Sequence, residues 1–319
     1  MENTKPDPDR AYDSPGDDPA DRCLLIFQQR ASRRRAREAA IQEAMGLLRD
    51  LRPTPLSGGP LSEQGGRFWI TIPPEALPAA QKRLPLLGYA VAVERAIPTI
   101  AAGEGADASR VRWKKQTYRL ASLYREDPAA FREEAPDRRT FLLESQGAVR
   151  AVRGYRGSSE PGSRRALPVE DARMLVNLVE GAPGFFLDPF AGAGGIAREA
   201  IRHGRTVFSG DIAPALRFGL TGLGARHCLA DARALPFPDE TFAAIATEPP
   251  YDSEAMEMIC AAAREMGRVL KPGGRLAMLC ALEQREWLRS AVPEDLTSFL
   301  DAPIDRKGTP CAALAWVKE

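Results

Sequence analysis

Histidine and cysteine are scarce in this chain. Its two histidines, His203 and His227, stand apart from any cluster with metal-ligand spacing, which argues against a structural zinc site or any other bound metal. The five cysteines (Cys23, Cys228, Cys260, Cys280 and Cys311) form no CxxC pair. An odd, scattered set of this kind excludes a disulfide framework and points to reduced thiols in the cytoplasm. Long apolar runs are also lacking: none approaches the ~18 residues that would span a bilayer. The first residues are rich in Pro and Asp rather than basic and then apolar, so no secretory leader is expected. There is little charge excess of either sign, the net value being +1. Any attraction for a polyanion must therefore come from local segments rather than from the whole chain.

What is present is a chain of 319 residues, enough for about two domains at roughly 100–200 residues each. Residues 1–21 have the composition of a disordered acidic tail. The segment 22–102 has a β-α-β-α-β outline. Strands are expected at 23–28, 68–72 and 89–93, a helix between 36 and 51, a Pro- and Gly-rich loop over 51–66, and a second helix over 74–86. That outline suits a small α+β, ferredoxin-like domain. Residues 103–165 form a basic connecting region. From Arg110 to Arg165, Lys and Arg outnumber Asp and Glu by about two to one, and Trp113–Tyr124 reads as a basic helix. A second basic block, RASRRRAR, spans 30–37. Either block suits a polyanion-binding face or a merely solvated one.

From residue 166 to 319 the rhythm changes to alternating strand and helix, which predicts a mostly parallel sheet with helices on both faces. The last two strands, around a turn at Asp305-Arg-Lys-Gly, have no helix between them and should form an antiparallel hairpin at the sheet edge. In doubly wound sheets ligands bind at the carboxyl ends of the strands. The first strand end here reads Leu187-Asp188-Pro189-Phe190-Ala191-Gly192-Ala193-Gly194-Gly195. Glycines at a strand-to-helix turn admit positive φ and let the backbone approach a ligand. Such a turn alone also suits nicotinamide or flavin. Asp211 at the second strand end is placed to accept ribose hydroxyls, and Asp231 after the third to accept from an adenine amine. Taken singly each aspartate also suits a helix cap or turn, but three acids at successive strand ends point to an adenosine-bearing ligand.

The fourth strand ends in Thr247-Glu248-Pro249-Pro250-Tyr251. At this point the chain resembles the class I S-adenosylmethionine-dependent amino-methyltransferases, whose signature is Asp/Asn/Ser-Pro-Pro-Tyr/Phe. The resemblance implies a Rossmann-like fold with a seven-stranded, mostly parallel sheet, and S-adenosyl-L-methionine as cofactor. Asp188, Phe190, Gly192, Gly194, Asp211, Ile212, Asp231 and Ala232 would hold that cofactor. The reaction site would be Glu248, Pro249, Pro250 and Tyr251. There the Glu248 side chain and the Pro249 carbonyl accept the hydrogens of a base amine, and Tyr251 stacks on the base. Glu248 departs from the pattern, being one methylene longer than the usual Asp or Asn.

The segment Leu167–Leu178 (LPVEDARMLVNL) before the cofactor loop resembles the tRNA guanosine-N2 methyltransferases of the THUMP-containing type. Their domain order matches, with residues 103–165 in the place of the THUMP-like RNA-binding region. This resemblance implies a tRNA partner, reached through residues 30–37 and 110–165. Two other readings stay open at this stage: a DNA adenine-N6 or cytosine-N4 methyltransferase, and an inert nucleic-acid-binding protein that retains the fold.

Overall fold

The computed structural model describes residues 22–99, 110–114, 116–129, 140–145, 148–153, 167–181, 183–216, 224–306 and 309–319. The expected acidic tail over 1–21 lies outside the described residues, as do parts of the basic connecting region 103–165.

The N-terminal half is built on strands β1 (Cys23–Gln29), β2 (Thr54–Leu56), β3 (Arg67–Ile72) and β4 (Ala90–Thr99), with helices α1 (Arg37–Leu47) and α2 (Leu77–Arg83). The order in space is β2-β3-β1-β4, and the pairings are antiparallel. This is the split β-α-β arrangement with one strand more than the sequence indicated. The extra strand, β2, is three residues long and contains Pro55, so it reads locally as loop. It sits at the sheet edge, the one place where a proline costs no ladder hydrogen bond.

Strands β5 (Arg110–Trp113) and β6 (Gln116–Arg125) continue the same sheet, β6 pairing antiparallel with β4. The basic helix expected over Trp113–Tyr124 is therefore a hairpin. Alternate residues of β5 are exposed (Arg110, Arg112) and half-buried (Val111, Trp113), a period of two that a helical reading of so short a segment conceals. Strands β7 (Thr140–Ser145) and β8 (Ala148–Arg153) form a separate two-stranded ribbon.

The C-terminal half begins with α3 (Val169–Leu178) and continues through β9 (Phe185–Asp188), α4 (Gly195–Arg202), β10 (Val207–Asp211), β11 (Arg226–Leu229), β12 (Phe242–Thr247), α5 (Met256–Val269), β13 (Leu270–Ala281), α6 (Arg285–Ala291), β14 (Leu296–Arg306) and β15 (Thr309–Lys318). They form a seven-stranded sheet ordered β11-β10-β9-β12-β13-β15-β14. The first five strands are parallel, and β15 lies antiparallel between β13 and β14. The expected C-terminal hairpin is present, with its second strand inserted inward. That placement follows from composition: β15 is buried along Cys311–Trp316, whereas β14 alternates and suits an edge. Strand order reverses between β9 and β12, which places the switch point beside the Gly-rich loop.

Helix α3 joins the two halves. Asp171, Arg173 and Asn177 are buried along with its apolar residues Met174, Leu175, Val176 and Leu178. It packs against α1 on one side and α4 on the other. Contact with α1 is backbone-close: a Cβ on Gly46 would stand 2.1 Å from the Asn177 carbonyl oxygen. Polar side chains of α3 bond to both neighbours, although the buried Asn177 Oδ1 has no partner among the described residues. Asn177 Nδ2 donates to Glu43 of α1 at 2.9 Å and to the Leu86 carbonyl at 3.0 Å, and Arg173 pairs with Glu199 at 3.1 Å. Glu43 is fully buried and also accepts from the Gly88 and Tyr89 amides, at 2.6 and 2.9 Å. Its burial outweighs those donors and pushes the carboxyl up to about 7. No described helix is long and apolar enough to cross a membrane.

Candidate active site

The cofactor loop grows directly out of β9. Asp188 ends the strand, and its carboxylate is buried. Its Oδ1 accepts from Thr247 Oγ1 at 2.9 Å and from the Phe190 amide at 3.3 Å. Burial is the main force on this carboxyl and raises it to about 7, with Thr247 and the Phe190 amide opposing. A cation placed nearby would restore its charge. Gly194 caps α4 with φ 77°, a left-handed conformation that glycine adopts without the strain a Cβ would bring. This leaves the first-turn amides of α4 facing the loop.

Asp211, at the end of β10, holds the loop from the other side. Its Oδ2 accepts the Gly192 amide at 2.9 Å and its Oδ1 the Ala213 amide at 2.8 Å. Each oxygen keeps a lone pair for a further donor. Ile212 beside it is 66% exposed, an apolar surface at a strand end that a flat ring would cover. Asp231 differs. It lies in the turn after β11, where both its oxygens are engaged by Arg233 in a bidentate pair, at 2.6 Å for the closest contact. Those donors hold its carboxyl below the ordinary value. Ala232 next to it is buried. Of the expected cofactor residues, Asp188, Phe190, Gly192, Gly194, Asp211 and Ile212 are thus gathered at one end of β9 and β10. Asp231 and Ala232 stand one strand further out, with Asp231 already partnered.

The second loop leaves β12. Because Thr247 donates to Asp188, the Glu248–Tyr251 segment is tied to the cofactor loop by a single buried hydrogen bond. Tyr251 Oη donates to Glu248 Oε1 at 2.7 Å. Burial and the neighbouring carboxylate hold the Tyr251 phenol above its ordinary value, so it stays a donor. Gln284, fully buried after β13, donates to the Pro250 carbonyl at 2.9 Å and accepts from the Ala281 amide at 3.1 Å. Arg306, the last residue of β14, donates through Nη1 to Glu248 Oε1 and to Tyr251 Oη. Its Nε lies 3.2 Å from Asp171 Oδ2 of α3.

Sequence reasoning missed Thr247, Gln284, Arg306 and Asp171. Thr247 was legible as the residue before the Glu-Pro-Pro-Tyr motif. The other three carried no local signal, since each reaches the site from a distant element. Among the described residues no group of three or more His, Cys, Asp or Glu side chains is arranged to hold a metal ion.

Residues 187–278 match a family described as a methyltransferase domain. The tRNA (guanine(10)-N2)-dimethyltransferase of Pyrococcus abyssi (strain GE5 / Orsay) is 34% identical over 151 residues, which cover 41% of this chain and 45% of that protein. The chain therefore spans less than half the length of this curated relative. The crystal structure of TrmN from Thermus thermophilus superposes with a TM-score of 0.50 at 17% identity, covering 93% of this chain and 100% of that one. At that identity the likeness is one of fold, and it extends over both halves.

The C-terminal half has the class I methyltransferase fold, and the donor set fits S-adenosyl-L-methionine as cofactor. In that fit Asp188 would offer a carboxylate to the ammonium, Asp211 two acceptors to ribose, and Ile212 an apolar face to adenine. Asp211→Ala would remove the ribose acceptor and also release the Gly192 amide. We expect S-adenosylmethionine affinity to fall by about tenfold or more, in line with the roughly 1.5–3 kcal/mol of hydrogen bonds to charged groups. Calorimetric titration checks this, and an unchanged dissociation constant would remove Asp211 from the cofactor site.

Proposed function

We propose that this chain, whose C-terminal half is a class I S-adenosylmethionine-dependent methyltransferase domain, methylates an exocyclic base amine in RNA, with guanosine N2 of tRNA as the target. The observation that carries this reading is the junction of the two loops: the strand that ends in Glu248-Pro-Pro-Tyr251 is hydrogen-bonded through Thr247 to the aspartate of the cofactor loop. An amine held by the second loop would face a methyl group held by the first.

An amine on a base ring is a poor nucleophile because its lone pair is delocalised into the ring. Glu248 and the Pro249 carbonyl counter this by accepting its hydrogens, which draws the nitrogen toward tetrahedral geometry. Prolines at 249 and 250 fix φ and hold the turn. Gln284 adds a clamp on the Pro250 carbonyl. Tyr251 offers a ring for the base to stack on, worth roughly 1–3 kcal/mol by analogy with base–aromatic contacts elsewhere. A paired base would have to swing out to reach it. When bound, the cofactor supplies a methyl group on a cationic sulfur, and the amine proton lost after transfer passes to Glu248 or to water.

RNA as substrate is supported by the Pyrococcus abyssi relative, named a tRNA dimethyltransferase, and by exposed cations. Of the basic block 30–37, Arg30, Arg33 and Arg37 turn inward. Arg30 pairs with Glu126, Arg33 with Asp171, and Arg37 donates to the Arg67 carbonyl. The block as a whole is therefore not an RNA surface, because two of its five arginines, Arg30 and Arg33, are paired with carboxylates inside the protein. Arg34 and Arg35 stay exposed and line a crevice of about 360 Å³ together with Ser32 and Asp305, the neighbour of Arg306. On the N-terminal sheet, Arg110, Arg112, Lys114, Arg119 and Arg125 are exposed. Arg110 and Arg119 are direct cross-strand partners. Like charges so placed repel, an arrangement that a polyanion on that face would relieve. The same reading places the protein in the cytoplasm.

Incubation of the purified chain with labelled S-adenosylmethionine and unmodified tRNA, followed by nucleoside mass spectrometry, is expected to yield N2-methylguanosine. Methylated adenine or cytosine in DNA, with tRNA untouched, would move the substrate class. No transfer to any nucleic acid would overturn the reading.

A further inference from the structure

The acceptor here is a glutamate where an aspartate or asparagine is usual, and the geometry around it accounts for the difference. A glutamate has one more rotatable bond, and a misplacement on the scale of an ångström can cost about a hundredfold in rate. Both donors that reach Glu248, Tyr251 Oη and Arg306 Nη1, land on the same oxygen, Oε1. Among the described residues none donates to Oε2. One oxygen is thus anchored from two sides while the other remains an acceptor.

Arg306 is itself fixed from a third direction. Its Nε faces Asp171, 3.2 Å away and fully buried. Asp171 also accepts Arg33 through both its oxygens, at 2.9 and 2.8 Å, and Tyr89 Oη at 2.9 Å. Arg33 and Tyr89 belong to the N-terminal half. One carboxylate therefore orients an arginine from each half, and the arginine of the catalytic half reaches the acceptor.

We propose that Arg306 is the positioning residue that adapts a glutamate to the amine-acceptor role, pinning Glu248 Oε1 so that Oε2 faces the base amine. Asp171, held by Arg33 and Tyr89, sets the direction of Arg306. This rests on the reading of Glu248 as the acceptor. The pin also acts on charge. Burial raises the Glu248 carboxyl, and Arg306 is the first force opposing it, followed by Tyr251. Facing Glu248 are Arg306 from β14, Tyr251 from its own loop, Asp171 from α3 and Asp188 from β9, with Cys311 of β15 behind Tyr251 at 3.7 Å. The two aspartates push in the same direction as burial. Loss of Arg306 would leave Glu248 protonated to higher pH.

Arg306→Ala is expected to lower kcat by about a hundredfold, with S-adenosylmethionine affinity and RNA KM little changed. The acid limb of its kcat–pH profile should move upward, because a proton on the unpinned Oε2 would turn the oxygen that faces the amine into a donor. Asp188, raised to about 7, adds a titration of its own, so the quantity read is the shift between variants. Arg306→Lys, which keeps the charge but cannot bridge two carboxylates in a planar fork, should restore most of the acid limb and little of kcat. A purely structural role would lower the melting temperature without moving the limb. Equal kcat and an unmoved limb in Arg306→Ala would overturn the proposal, as would a faster variant, which would make Arg306 a blocking group. Transfer by the wild-type chain shows that the reaction itself stands. Its absence would overturn this inference together with the proposed function.

Discussion

Glu248→Ala is expected to reduce methyl transfer by roughly 10²–10³, the range seen when one preorganised hydrogen-bonding group is removed from a reacting centre. The cofactor site should survive. Among the described residues Glu248 makes no hydrogen bond to the cofactor loop, and the link between the two loops runs through Thr247 and Asp188, which the substitution leaves in place. The variant should therefore bind S-adenosylmethionine with ordinary affinity and still fold. Some loss of stability follows from Arg306, which would keep Asp171 but lose its second carboxylate. Glu248→Gln is the sharper comparison, since it keeps the length and one acceptor while dropping the charge. It should fall between the two. Single-turnover rates with saturating cofactor measure the effect. Transfer by Glu248→Ala within about threefold of wild type would show that the amine is held by something else.

Asp171→Ala should be the most destabilising of the substitutions considered. Asp171 is fully buried, far from the solvent that would otherwise screen its loss, and it satisfies Arg33, Tyr89 and Arg306 at once. Its removal takes from Arg33 its closest counter-charge, leaving Glu170 at 3.5 Å, and leaves Arg306 with Glu248 alone. Breaking a buried pair in this way costs about 3–5 kcal/mol, a large part of the ~5–15 kcal/mol that holds an ordinary protein folded. The cost falls at the junction between the halves. Urea unfolding should show a lowered midpoint and, where the halves lose each other first, a split transition. Tyr89→Phe removes a single donor and should cost about 1 kcal/mol. A midpoint for Asp171→Ala equal to that of Tyr89→Phe would refute the account of Asp171 as the shared counter-charge.

These residues also mark how far the sequence could be read. The Asp188–Gly195 turn, the acid at 211 and the Glu-Pro-Pro-Tyr motif were legible because each lies within a few residues of a strand end, where the backbone alone places it. The seven strands of the catalytic sheet were legible for the same reason, apolar runs alternating with helical periods. Strand β2 was not, being too short and too rich in proline to announce itself. Trp113–Tyr124 was misread as helix because the pairing partner of β6, β4, lies more than ten residues upstream.

Local spacing by itself determined the domain type, the cofactor loop and the loop that meets it, since these depend on chain connectivity and on side chains near one another in sequence. Tertiary structure alone decided the fate of the charges. RASRRRAR is uniformly basic on paper, yet Arg33 turns inward to Asp171, 138 residues away, while Arg34 and Arg35 face solvent. The turn at Asp305-Arg306 gave no hint that Arg306 would reach back to Glu248. Burial makes the difference: a charge taken out of water must find a partner, and which partner is within reach is set by packing rather than by sequence distance.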